Sequence, residues 1–126
     1  MPDVVLSNTS GVPIYEQIKR QLKAAILRGD LAEGEVLPSI RVLARDLQVS
    51  VITTTRAYAD LAAEGFVTNV PGKGSYVLPR DSALIREQVL RDVEQHFADG
   101  VHAGRLADLT PVELHQVLDM LIQEDS

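Results

Sequence analysis

Apolar residues return at three- and four-residue spacing along most of this chain, and the exceptions mark where its elements begin and end. Ile14, Ile18, Leu22, Ala25 and Ile26 form one apolar face of a helix that opens at Pro13 and stops near Gly29. Lys19, Arg20 and Lys23 fall on its solvent side. Residues 30–35 are turn-rich, and Val36 and Leu37 make a short extended piece before Pro38, which disfavours helix at the residue before it. Ser39 then stands as an N-cap, and Leu43, Ala44 and Leu47 draw a narrow stripe on a second, short helix. After Gln48 and Val49, Ser50 caps a third helix whose inward face holds Thr54, Ala57, Tyr58 and Leu61. Residues 66–70 and 75–78 are β-prone runs joined by Pro71, Gly72, Lys73 and Gly74, a turn with two residues free to take positive φ. Past Pro79 the helical spacing returns. Leu84, Ile85, Val89, Val93 and Phe97, flanked by Leu90, line a helix from near Asp81 that loosens at Gly100 and Gly104. Thr110, Pro111 and Glu113 spell a capping box with proline at the first helical position, ahead of the stripe Leu114, Val117, Leu118, Leu121 and Ile122.

Two short helices around a tight turn, closed by a glycine-tipped hairpin, predict an α+β fold, mostly α: a winged helix-turn-helix over residues 13–79. An arm (1–12) precedes it and a two-helix tail (80–126) follows. Once the inward face of the third helix is assigned, Ser50, Val51, Ile52, Thr53, Thr55 and Arg56 remain outward on its first turns. Short hydroxyls, small apolar groups and one guanidinium suit phosphate oxygens, base edges and thymine methyls. The plainer alternative is that the hydroxyls bond to their own backbone. At the hairpin tip, Gly72 and Gly74 around Lys73 would bring backbone N–H groups and a cation to a phosphate or a minor groove. Ser39 and Arg41 at the start of the second helix complete the expected contact set.

These residues resemble a known family. Leu37-Pro38-Ser39, Arg41, Leu43-Ala44, Val49-Ser50, Thr53, Arg56-Ala57-Tyr58, Leu61, Glu64-Gly65-Phe66-Val67 and Pro71-Gly72-Lys73-Gly74-Ser75-Tyr76-Val77 look like the winged helix of GntR-type bacterial transcription regulators. The opening Pro13-Ile14-Tyr15-Glu16-Gln17-Ile18 and the short tail are most similar to the YtrA subfamily. The resemblance implies that Arg41 meets the DNA backbone or a guanine, that Ser50, Thr53 and Thr55 sit at the groove, and that Gly72, Lys73 and Gly74 form a wing contact. It also implies repression. The chain departs from the pattern at Val51 and Ile52, where many relatives are polar, and at Gln48, where many have Gly; a positive φ there would strain a glutamine.

Composition alters this picture in two places. The net charge is −6, which at first opposes DNA, but residues 13–80 carry nine Lys and Arg against seven Asp and Glu, while residues 81–126 carry three against ten. Phosphate attraction acts over about a Debye length, ~8 Å at physiological salt, so an acidic tail on the far side need not oppose binding. Second, two helices in the tail cannot bury both stripes against each other, so Leu84, Ile85, Val89, Val93, Phe97, Leu114, Val117, Leu118, Leu121 and Ile122 are expected to dimerise the chain, with fold-back onto the winged helix as the alternative. A symmetric dimer suits a palindromic operator in double-stranded DNA. There is no cysteine, hence no disulfide and no thiolate nucleophile or metal ligand. Residues 1–6 lack the features of a secretion signal and no stretch is long and apolar enough for a transmembrane span, so a soluble cytoplasmic protein without a membrane partner is expected. His96, His102 and His115 lack metal-site spacing, and no phosphate loop or Ser-His-Asp motif stands in the chain, so neither enzyme, cofactor nor metal is expected. A small apolar effector between the tail helices is compatible with the sequence, and a winged helix serving a protein or RNA partner is the rival function.

Overall fold

The computed structural model describes residues 3–125. Its elements are α1 (Ile14–Arg28), α2 (Ile40–Leu47), α3 (Val51–Ala63), β1 (Val67–Val70), β2 (Gly74–Val77), α4 (Ala83–Leu106) and α5 (Pro111–Glu124). They separate into two compact units, divided between Glu87 and Gln88. The division falls eight residues beyond the boundary expected at 79/80, because the first turn of α4 packs on the first unit.

In that first unit the apolar faces converge on one core. Ile18, Leu22 and Ile26 of α1, Leu43 of α2, and Ala57, Tyr58 and Leu61 of α3 are all buried, with Leu31, Leu37, Phe66 and Val77 closing the edges. Thr54, also buried, satisfies its hydroxyl on the Ser50 carbonyl at 3.3 Å. β1 and β2 form an antiparallel hairpin in which Val67 faces Val77 and Val70 faces Gly74. The extended piece before α2 pairs with it: Val36 bridges Tyr76, and the Leu37 N–H donates to the Ser75 carbonyl at 2.8 Å. Gly65, with φ of +84°, makes the turn from α3 into β1; a Cβ there would lie 2.4 Å from Leu84 Cδ2.

That contact corrects part of the expected dimer face. Leu84 touches Gly65 yet stays 46% exposed, whereas Ile85 is 1% exposed and has no surface to give a partner. The arm is also more ordered than its composition predicts. Gln21 grips the Val5 backbone at both its N–H and its carbonyl (2.9 and 2.6 Å), and Gln17 grips Ser7 likewise (2.8 and 2.7 Å). Two glutamines four residues apart stand on one helix face and act as a strand edge for the arm.

The second unit is a helical hairpin. The capping box is formed: Thr110 Oγ1 accepts from the Glu113 N–H at 3.2 Å, and Glu113 Oε1 accepts from the Thr110 N–H at 3.0 Å. The expected loosening at Gly100 and Gly104 does not occur, since α4 continues through both to Leu106. Gly104 instead lets the helices approach, with Leu114 Cδ2 only 2.6 Å from where its Cβ would be. No residue of α5 is buried.

Candidate nucleic-acid interface

The presentation of α3 rests on three local devices. Ser50 Oγ accepts from the Thr53 N–H at 3.0 Å and starts the helix. Gln48 ends α2 in the left-handed region (φ 56°, ψ 45°), where its N–H returns to the Arg45 carbonyl and that of Val49 to the Ala44 carbonyl, so a glutamine holds the conformation usually given to glycine. Tyr58 donates its hydroxyl to the Pro38 carbonyl at 2.7 Å, tying the entry of α2 to the middle of α3. Burial pushes the Tyr58 phenol above its ordinary value, keeping it the donor that this contact requires.

On the outward side the expected residues are exposed in different degrees. Ile52 is 82% exposed and Val51 42%, an apolar pair open at the first turn of a helix. Ser50, Thr55 and Arg56 are exposed and Thr53 is half-buried. The hydroxyls are partly engaged, as the plainer reading held: Ser50 donates to Thr53 Oγ1 at 2.9 Å, and Thr55 donates to the Val51 carbonyl at 2.7 Å. Ser50 Oγ, which also accepts the Thr53 N–H, keeps one lone pair unused, Thr55 Oγ1 keeps both, and Thr53 keeps its own hydroxyl proton. Ser39 caps α2 by accepting from the Val42 N–H at 3.2 Å, and Arg41 is exposed on the same first turn. At the wing, Gly72 and Gly74 adopt φ of +76° and +124°, and Lys73 between them is exposed.

The basic side chains differ in their pairing. Lys19 lies 2.9 Å from Glu16, 3.4 Å from Glu64 and 3.9 Å from Asp60, and Lys23 lies 3.0 Å from Glu64. The expectation that these α1 lysines form a solvated face is overturned: their side chains are 14% and 11% exposed, enclosed by acids of α1 and α3. Burial pulls the Lys19 pKa down, but hydrogen bonding and charge from Glu16 and Glu64 outweigh it and hold the value above the ordinary one. Arg28 and Arg45 face Asp30 and Asp46 at 3.1 and 3.7 Å. Among the described residues no carboxylate lies within 4.0 Å of Arg41, Arg56 or Lys73. Sequence reasoning missed Tyr15, whose ring lies 3.7 Å from the Arg56 guanidinium carbon; a half-buried aromatic at the head of a helix carries no periodic signal.

In the second unit Val89, Leu114 and Leu118 are half-buried, while Val93 (38%), Phe97 (53%), Val117 (48%), Leu121 (55%) and Ile122 (60%) stand open. Val101, Leu106, Val112 and Met120 extend this open apolar surface. Among the described residues no group of three His, Cys, Asp or Glu side chains could hold a metal, and no helix is long and apolar enough to cross a membrane.

Comparison with known proteins agrees with this geometry. The family model for bacterial regulatory proteins of the gntR family matches residues 14–77. The HTH-type transcriptional repressor YtrA of Bacillus subtilis is 29% identical over 107 residues, covering 85% of this chain and 82% of its own length. YdeL, an HTH-type transcriptional regulator of the same organism, is 40% identical over 77 residues, yet the chain spans only 17% of it. Among solved structures, a transcriptional antiterminator of Listeria monocytogenes superposes with a TM-score of 0.78 at 26% identity over 98% of this chain and 92% of its own. The DNA-binding domain of AraR in complex with operator ORX1 superposes with a TM-score of 0.54 at 26% identity over 60% of this chain and 94% of its own. The regulators of this family bind DNA, as the AraR complex illustrates. With a matching winged helix and YtrA-like proportions, the chain belongs to the gntR family of bacterial regulatory proteins.

Proposed function

We propose that this chain is a homodimeric transcriptional repressor of the cytoplasm that reads a palindromic operator through the first turns of α3, the head of α2 and the tip of the wing. The observation that carries the reading is the pairing of charge: among the described residues Arg41, Arg56 and Lys73 have no carboxylate within 4.0 Å, while Lys19, Lys23, Arg28 and Arg45 each face one. Arg41, Arg56 and Lys73 serve as phosphate anchors, and Ser50, Thr53 and Thr55 read polar base edges. Ile52 and Val51 offer methyl groups, the contact that distinguishes thymine in the major groove. The open apolar surface of α4 and α5 is covered by a second copy, which sets two recognition helices about one helical turn of DNA apart. A small apolar effector entering that surface would alter the spacing and release the operator. Repression follows from likeness to YtrA, a transcriptional repressor.

Selection of bound duplexes from a randomised library tests the proposal. A two-fold symmetric sequence with thymines at fixed positions is the expected outcome. Binding without duplex selectivity, or binding of a protein or RNA instead, overturns it.

A further inference from the structure

α1 and α3 meet along a ladder with matched steps. Lys19 reaches Asp60 at 3.9 Å and Glu64 at 3.4 Å, and Lys23 reaches Glu64 at 3.0 Å; Lys19 and Lys23 stand four residues apart on α1, and Asp60 and Glu64 four apart along α3 and its C-cap. One step earlier the same register pairs Tyr15 with Arg56, and there the rung changes chemistry. The Arg56 Cζ lies 3.7 Å from the centroid of the Tyr15 ring. That separation is plane against plane, since an end-on N–H would hold the carbon further off. Stacking of this kind engages the face of the guanidinium and leaves its N–H donors free around the rim.

The substitution of chemistry has a consequence for charge. An acidic residue at position 15 would complete the ladder as a third ion pair and cancel Arg56. The ring orients the same group without neutralising it. Tyr15 is half-buried, and its hydroxyl has no hydrogen-bond partner among the described residues, so the ring face makes the contact. Arg56 stands one turn beyond Ile52 on the outward surface, where a loose arginine would have to be ordered at the moment of binding.

We infer that Tyr15 is a positioning residue of the DNA interface, holding the Arg56 guanidinium oriented and fully charged on the outward face of α3. The inference rests on the function proposed above. It is tested with the full chain and the duplex selected by the wild type, comparing Tyr15→Phe, Tyr15→Leu, Tyr15→Glu and Arg56→Ala. Tyr15→Phe keeps the stack and binds within about two-fold of wild type; Tyr15→Leu weakens binding about three-fold per half-site, the scale of an exposed cation–π contact. Tyr15→Glu stays folded, binds more weakly still, and flattens the salt dependence by about one contact per protomer. In the Arg56→Ala background, Tyr15→Leu costs nothing further. Equal losses from Tyr15→Leu with and without Arg56 would make Tyr15 merely structural and overturn the inference. So would a Tyr15→Phe protein as weak as Tyr15→Leu, or a Tyr15→Leu protein that binds like the wild type. A wild type that selects no duplex defeats the underlying function and the positioning role together, whereas selective wild-type binding with uncoupled variants defeats the positioning role alone.

Discussion

Salt dependence is the measurement most directly set by the pairing of charge. Counting basic residues near the helix-turn-helix from sequence admits Arg45 beside Arg41, Arg56 and Lys73, but Arg45 lies against Asp46 at 3.7 Å, and that pair brings no net charge to a phosphate. Arg41, Arg56 and Lys73 then act in each protomer of the proposed dimer, six cations in all. At about 0.9 counterions released per phosphate contact, the log–log slope of affinity against salt is about −5, and raising salt from about 50 to 200 mM costs about 10³-fold. Fluorescence anisotropy with a labelled operator duplex gives this slope directly. Lys73→Ala should flatten it by about two for the dimer and weaken selected and unselected duplexes alike, whereas removing Arg45 and Asp46 together should leave it unchanged. A slope no steeper than about −2 for the wild type, or one that responds to loss of the Arg45 and Asp46 pair and not to Lys73, would refute the assignment of these three cations to phosphate contact.

Three further outcomes follow from the same geometry. Gln48→Gly removes a left-handed conformation costing about 1–2 kcal/mol for an L-residue and adds about 0.4–1 kcal/mol of unfolded-state entropy, so a net gain of about 0.5 kcal/mol should raise the urea midpoint; a lowered midpoint would mean that the glutamine side chain contributes a contact of its own. The raised pKa values of Tyr58 and Lys19 both favour the protonated folded state, so their stabilisation is complete below the ordinary values of 10.0 and 10.5 and is lost as pH climbs past them. Thermal melts from pH 8 to 11 should be flat and then fall, with Tyr58→Phe less stable at neutral pH by about 1–3 kcal/mol for an orphaned carbonyl, and less steep above pH 10. Replacing Leu121 and Ile122 together by arginine should give monomers in sedimentation velocity with helical content retained, because both side chains are more than half exposed in the single chain. Persistent dimers would move the interface elsewhere.

Much of this molecule was legible along the chain because its signals are local. Caps at Ser39, Ser50 and Thr110, the glycines of the wing tip and the apolar spacing of α1 to α3 each depend on residues within a few positions, and backbone geometry allows few other outcomes. The strain at Gln48 was visible only through the family resemblance, whose pattern often has glycine there. Tertiary structure decided what depended on which residues meet across elements. It placed Leu84 over Gly65 and buried Ile85 in the first unit, drew Gln17 and Gln21 onto the arm, and enclosed Lys19 and Lys23 between α1 and α3. It also set Tyr15 under Arg56. Periodicity names the face of a helix but not its neighbour; whether a lysine is solvated or paired, and whether an arginine is cancelled or merely held, depends on a partner some forty residues away.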